Sequence, residues 1–265
     1  MSSLQGKVAL VTGASSGIGA AIAAHFASLG CYLAIGGRDV TKMEAVSKEC
    51  EKNGLSKDKI LCVPGDITID EVCVNIVEST VKHFGHLDIL VNNAGGGFYR
   101  ETIETVSMER FDHSFNLNVR ALFHLSKLAV PHLIKTKGNI VNVSSMTSLS
   151  VFPGGLLCYS VAKSAVDHFT KFLAVELGSK QVRVNAINPG VIDTDCHKKA
   201  GLNDEEYDRL MEAAKDEHVF RRCGTAGECA KLTAFLASDD AAFITGAIVP
   251  IDGGLHAAGS YTFKS

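Results

Sequence analysis

The chain has no apolar run near the ~18 residues that a membrane-spanning helix needs, and no signal-peptide pattern stands before Lys7. It also lacks a surplus of charge: 26 Lys and Arg stand against 29 Asp and Glu, a net −3. That balance implies neither nucleic acid nor an anionic membrane as partner, and no basic helix carries interleaved aromatics. Eight cysteines are present, but none forms a Cys-x-x-Cys pair or has a histidine at finger spacing. The ten histidines are scattered as well, so no metal centre is expected. A reducing, cytoplasmic setting follows, with several cysteines acting as small apolar residues. The final Thr262-Phe-Lys-Ser265 does not spell a peroxisomal address. No linker, charge block or repeat divides the chain, and 265 residues suit one α/β domain spanning 1–265.

Strand-like runs alternate with helical patterns from residue 7 to residue 187. This predicts a doubly wound, Rossmann-like parallel sheet flanked by helices on both faces. The first unit is explicit. Val8 to Val11 reads as a buried strand, followed by Thr12-Gly13-Ala-Ser15-Ser16-Gly17-Ile18-Gly19 and an Ala-rich helix. Glycines at such a junction permit tight turning and close approach of backbone to a pyrophosphate. The helix N-terminus then offers unpaired N–H groups and a positive dipole end. The spacing is Gly-x-x-x-Gly-x-Gly, which differs from the general dinucleotide fingerprint.

A second strand, Tyr32 to Ile35, runs into Gly36-Gly37-Arg38-Asp39. The residue about 20 positions after the glycines meets the adenosine ribose in a dinucleotide-binding unit. An acidic side chain there would accept from both ribose hydroxyls and repel a 2′-phosphate. Gly37 supplies none, and Arg38 brings a planar donor fork suited to phosphate, so NADP(H) is expected over NAD(H). Asp39 stands where it could partly neutralise Arg38.

Tyr159 and Lys163 lie four residues apart in a helical stretch and so share a face. A free tyrosine titrates at about pH 10. A fixed cation nearby lowers that by roughly 1–3 units, towards the range of a general acid/base.

Thr12-Gly13-x-x-x-Gly17-x-Gly19, Asn92-Asn93-Ala94-Gly95, Ser145 and Tyr159-x-x-x-Lys163, in this order and at these separations, resemble the short-chain dehydrogenase/reductase family. The match is to its shorter, single-domain subfamily. It runs through Asn188-Pro189-Gly190 to Asp252-Gly-Gly254 and so covers nearly the whole chain. The resemblance implies that Tyr159 exchanges a proton with the substrate oxygen. Lys163 would lower the Tyr159 pKa and bond the nicotinamide ribose. A serine at the end of the fifth strand would hold the substrate oxygen. Ser145 fits best by count along that strand, although its gap to Tyr159 is one residue longer than the family's usual spacing; Ser144, Thr147 and Ser148 stay open. Asn118, with Asn116 as competitor, resembles the helix asparagine that holds a relay water behind the lysine.

The cofactor set implied by the resemblance is Gly13, Ser15, Ser16, Gly17, Ile18, Gly19, Arg38, Asp66, Ile67, Asn93, Ala94, Gly95, Tyr159, Lys163, Pro189, Gly190, Ile192 and Thr194. Within it, Asp66 faces the adenine amine and Ile192 and Thr194 border the carboxamide, while Asn92 and Asn93 read as backbone staples at the end of the fourth strand, beside Ala94 and Gly95. The helices Phe111–Leu133 and Tyr159–Leu177 form a subunit seam in the family, so a homotetramer, or a dimer, is expected.

From about 191 to 222 the pattern loosens into a substrate lid. Asn203-Asp-Glu-Glu reads as a helix start, and Leu202, Tyr207, Leu210 and Met211 as an apolar stripe. Seven carboxylates between Asn203 and Glu217, against Arg209 and Lys215, disfavour a large polyanionic substrate. Leu149 to Leu157, with Phe98 and Tyr99, would form an apolar pocket wall. The expected activity is NADP(H)-dependent interconversion of a ketone or aldehyde and an alcohol. The alternatives are an NAD-dependent alcohol, polyol or 3-oxoacyl enzyme and, from another class, a dinucleotide-binding sensor or scaffold without turnover.

Overall fold

Val8 and Leu10 enter one apolar cluster while Ala9 and Val11 enter another, because alternate residues of a strand face opposite ways. A strand buried on both faces therefore reads as a continuous apolar run. In the computed structural model, which describes residues 3–98, 100–151 and 155–258, this run is β1 (Val8–Thr12). It leads into α1 (Gly17–Ser28), β2 (Tyr32–Gly37), α2 (Val40–Lys52), β3 (Ile60–Pro64), α3 (Asp70–Phe84) and β4 (Ile89–Asn92). The second half continues with α4 (Met108–Phe115), a π-helical turn over Asn116–Arg120, α5 (Ala121–Thr136), β5 (Asn139–Val143), α6 (Leu157–Gly178) and β6 (Arg183–Pro189). Next come β7 (Ile192–Asp193), α7 (Cys196–Lys199), α8 (Asp204–Glu217), β8 (Gly224–Thr225), α9 (Ala226–Ala237), β9 (Ile248–Ile251) and α10 (Leu255–Ala258).

Seven of these strands form one sheet in the order β3-β2-β1-β4-β5-β6-β9, every neighbouring pair parallel. On one face Ile22 and Phe26 of α1, Met43 of α2 and Ala230 and Ala234 of α9 pack beneath β1. On the other, Ile76 of α3, Leu125, Ala129 and Leu133 of α5, and Ala174 and Leu177 of α6 close the second core. The expected doubly wound α/β sheet is thus the architecture observed.

Two details differ from the sequence reading. The helix expected over Phe111–Leu133 is two helices joined by the π turn, which carries Asn118. The extra residue of a π turn breaks the regular backbone ladder, and the Asn118 side chain fills the break by donating to Ser114 O at 2.8 Å. Secondly, the ion pair of Arg38 is with Asp66, while Asp39 caps α2, accepting from Lys42 N at 3.0 Å, as a short acidic side chain at an N-cap does. Tyr99, Phe152, Pro153 and Gly154 of the expected pocket wall lie outside the described residues.

Candidate active site

Strand order reverses between β1 and β4, and open α/β sheets bind ligands in the crevice beyond such a switch point. The two strand ends are bolted together there. Thr12 Oγ1 donates to Val91 O (3.2 Å) and accepts from Asn93 N (3.1 Å) and Ala94 N (3.2 Å). Asn93 Nδ2 returns bonds to Thr12 O (2.9 Å) and Gly13 O (3.1 Å). Asn93 is therefore a backbone staple. Asn92, expected beside it in that role, instead bonds side chains: its Nδ2 donates to Ser126 Oγ and Asn142 Oδ1.

The loop from Gly13 to Gly19 fits a dinucleotide. Gly13 and Gly17 have φ of 64° and 57°, and Ser16, the N-cap of α1, gives its own helix no side-chain bond. The first N–H groups of α1 are thus left for a phosphate. Ser16 Oγ instead accepts from Lys199 Nζ of α7 at 2.7 Å. Thr194 stands over Gly17, where an added Cβ would lie 3.5 Å from it. The 191–222 segment therefore rests directly on the glycine loop.

At the end of β2 an added Cβ on Gly37 would come within 3.1 Å of Met43 Sδ and 3.2 Å of Ser15 Cβ, so a side chain there would have to push Met43 or Ser15 aside by a few tenths of an ångström. Arg38 is 74% exposed and its Nη1 lies 3.6 Å from Asp66 Oδ2. Burial acts to raise the Asp66 carboxyl, but bonds from Thr68 N and Oγ1, with Arg38 beyond, hold it below the usual carboxylate range. Ile67 beside it is buried.

Four elements meet at Tyr159. The loop after β4 passes over it, since an added Cβ on Gly97 would lie 2.7 Å from Tyr159 Cβ. Lys163, one turn further along α6, stands 5.5 Å from the centre of the Tyr159 ring. Lys163 is 3% exposed and its Nζ donates to Val143 O at the end of β5 (2.8 Å). Burial pushes it down to about 8, with the Asp167 carboxylate opposing. Asn118 is wholly buried; its Nδ2 also donates to Gly96 O (2.8 Å) and its Oδ1 accepts from Gly96 N (3.1 Å). Asn118 Oδ1 and Lys163 Nζ both flank Gly95, at 2.7 and 3.1 Å from an added Cβ.

The serines after β5 separate by direction. Ser144 Oγ turns into α6 and donates to Lys163 O (3.2 Å). Ser148 Oγ contacts Asp167 Oδ2 (2.5 Å). Ser145 Oγ accepts from Thr147 N (3.2 Å) and Thr147 Oγ1 (3.1 Å), which leaves its own proton to donate. At the end of β6 Pro189 pairs with Ile251 of β9 and the following Gly190 N donates to Ile251 O (3.1 Å), and Ile192 is buried in β7.

The 191–222 segment carries α8, whose expected start at Asn203 is closed by a capping box with Glu206. Its Leu202, Tyr207, Leu210 and Met211 are half-buried, and Glu206 pairs with Arg100 of the loop after β4. Tyr207 donates to Asp193 Oδ1 (2.8 Å); burial and that carboxylate push its phenol up to about 12, away from acid/base use. Sequence reasoning passed over Asp167, whose position four residues after Lys163 was visible, and over Glu101, which nothing in its sequence neighbourhood marks. Glu101 is buried and accepts from Cys158 N at the start of α6 (3.3 Å). Among the described residues no group of three or more His, Cys, Asp and Glu is placed to hold a metal ion. No described helix is long and apolar enough to cross a membrane.

A family model described as enoyl-(acyl carrier protein) reductase matches residues 13–256. The chain is 36% identical over 255 residues to the 3-oxoacyl-[acyl-carrier-protein] reductase FabG of Pseudomonas aeruginosa, covering 96% of this chain and 99% of that protein. It is 32% identical to the 7alpha-hydroxysteroid dehydrogenase of Bacteroides fragilis, covering 96% of each. Among solved structures, a Caenorhabditis elegans short-chain dehydrogenase/reductase of unknown function, crystallised with cofactor, superposes with a TM-score of 0.91 at 30% identity, over 95% of this chain and 96% of that one. The L-sorbose reductase of Gluconobacter frateurii, complexed with NADPH and L-sorbose, gives 0.87 at 33% identity, over 96% and 98%.

Proposed function

As this chain belongs to the short-chain dehydrogenase/reductase family, we propose that it is an NADP(H)-dependent oxidoreductase interconverting a carbonyl compound and an alcohol. The observation that carries this reading is a lysine buried to 3% exposure and set against the Tyr159 ring, an arrangement that a mere dinucleotide binder has no use for. The Gly13–Gly19 loop would hold the pyrophosphate of the dinucleotide, whose nicotinamide would supply or remove the hydride. Ser145 donates its free proton to the substrate oxygen, and the Tyr159 hydroxyl gives that oxygen a proton as the carbonyl is reduced. Lys163, fixed by Val143 O, favours the ionised phenol through its charge. The Asn118 side chain is taken up by Gly96 and Ser114 and so fixes the loop after β4 against the π turn.

Arg38 supports NADP(H), as does the absence of a side chain at Gly37; the sorbose reductase, complexed with NADPH, is consistent with it. Arg38→Asp should weaken NADPH binding about tenfold, or about 1.4 kcal/mol, and leave NADH unchanged or better bound. Equal NADPH affinity in titrations of the two proteins would reject the assignment. The names of the relatives span acyl thioester, steroid and sugar, so the substrate class is set by test. Following NADPH and NADH absorbance over ketones, aldehydes, sugars and 3-oxoacyl thioesters should give turnover with NADPH. Silence across the panel despite NADPH binding would favour a sensor.

Eight unpaired thiols suit a reducing, cytoplasmic location. On α5 and α6, Phe123, Val161, Phe172 and Val175 are exposed side chains, an apolar face that a second copy would cover in a dimer or tetramer. Phe172→Glu should lower the mass seen in sedimentation equilibrium; an unchanged mass would exclude this face.

A further inference from the structure

Behind Ser145 lies a buried polar cluster that the proposed chemistry does not use. Asn188 Nδ2 of β6 donates to Ser145 O (3.0 Å) and to Asp167 Oδ2 (2.9 Å), and also touches Ser148 Oγ (2.8 Å). The Ser148 hydroxyl sits between Ser145 O (2.6 Å) and Asp167 Oδ2 (2.5 Å), one proton between two acceptors. One carboxylate oxygen thus holds both groups that hold the Ser145 carbonyl. Asp167 is 7% exposed, and its other oxygen, Oδ1, is buried without a hydrogen-bond partner.

A carboxylate in such a place is costly unless a charge faces it. Lys163 is one turn away on the same face of α6. We propose that Asp167 is a positioning residue joining the two halves of the active site: through Ser148 and Asn188 it fixes Ser145, and by its charge it keeps Lys163 protonated beside Tyr159. The direction of the Lys163 shift agrees, since burial lowers it and Asp167 is the charge that opposes the fall. Other titratable groups also lie around Asp167. His168 and Lys171 of α6 and His256 of α10 line a cavity of about 470 Å³ against it, and His256 is itself bonded to Asp252 (2.7 Å).

This inference rests on the acid/base reading of Tyr159 and Lys163, but its main test needs no turnover. Carbon-13 labelling of lysine side chains, with Lys163→Met to identify the signal, follows Lys163 directly through pH. In Asp167→Asn, Lys163 should lose its proton about half a unit to one unit lower in pH. In Ser148→Ala, the Lys163 titration should stay where it is while kcat/KM, on whichever carbonyl the panel selects, falls about tenfold through loss of Ser145 placement. A purely structural Asp167 would lower thermal stability and leave the Lys163 titration unmoved, which would overturn the proposal. So would a protonated Asp167 in the native protein, read from its carboxyl carbon shift at neutral pH. That measurement also decides the matter should Asp167→Asn fail to fold. An inactive wild type with Lys163 titrating as expected would sink the reductase reading and leave this coupling standing.

Discussion

Tyr159→Phe should lower turnover about a thousandfold, or about 4 kcal/mol in the barrier, while NADPH binds within about a factor of two of the wild type. The ring of Tyr159 packs under Gly97 and beside Lys163, and phenylalanine keeps that packing. What it removes is the one proton that can pass to the substrate oxygen beside Ser145. Tyr207, the other described tyrosine near the cleft, cannot substitute, because burial and Asp193 hold its proton more tightly than a free phenol. The pH dependence follows from Lys163. Its folded value, about 8, lies below its ordinary one, so it is charged below about pH 8 and loses its proton above. Carbonyl reduction, which needs the proton on Tyr159 and the charge on Lys163, should fall as pH rises through that value. Alcohol oxidation needs the tyrosinate instead and should be favoured as pH rises. The same depression makes the buried ammonium a cost to the fold that is fully present below about pH 8 and relieved as pH climbs towards its unfolded value. A reduction rate flat from pH 6 to 10, or a Tyr159→Phe protein retaining a tenth of wild-type turnover, would remove Tyr159 from the chemistry.

Much of this site was legible because its parts are local. Tyr159 and Lys163 share a helix, Gly13 to Gly19 share a turn, and Gly37 next to Arg38 states a size and a charge at one strand end. Spacing alone decides such geometry. Contacts made between elements were less readable. Counting along the strand favoured Ser145, but setting Ser144 aside required knowing that its Oγ turns into α6, which depends on how β5 and α6 pack. The π turn at Asn116–Arg120 leaves no mark in the periodicity, because apolar spacing continues through it. Asp39 looked like a partner for Arg38 by adjacency; the backbone uses it as a cap, and the partner is Asp66 from the next strand over. The contact between Lys199 and Ser16 joins residues 183 positions apart and is likewise a product of the fold.

Gly19→Ala should weaken dinucleotide binding about a hundredfold, or about 2.7 kcal/mol, and cost the protein about 2 kcal/mol of stability. The reason is room. A Cβ on Gly19 would stand 2.4 Å from Asn93 Nδ2 and 2.5 Å from Gly13 O. Neither can retreat cheaply, because Asn93 Nδ2 already spans Thr12 O and Gly13 O, and Gly13 is itself pressed against Ala94, where an added Cβ would lie 2.7 Å from Cα. Moving α1 outward to admit the methyl group carries its first N–H groups away from the phosphates they would bind and breaks the staple between β1 and β4. The effect therefore appears in affinity as well as in melting temperature. Gly178 supplies the contrast. It ends α6 with helical φ, and an added Cβ meets nothing within 4 Å. Gly178→Ala should raise stability by about half a kcal/mol by narrowing the unfolded ensemble and leave NADPH affinity as it was. If titration calorimetry found both proteins binding NADPH like the wild type, the Gly13–Gly19 turn would not be where the dinucleotide lies.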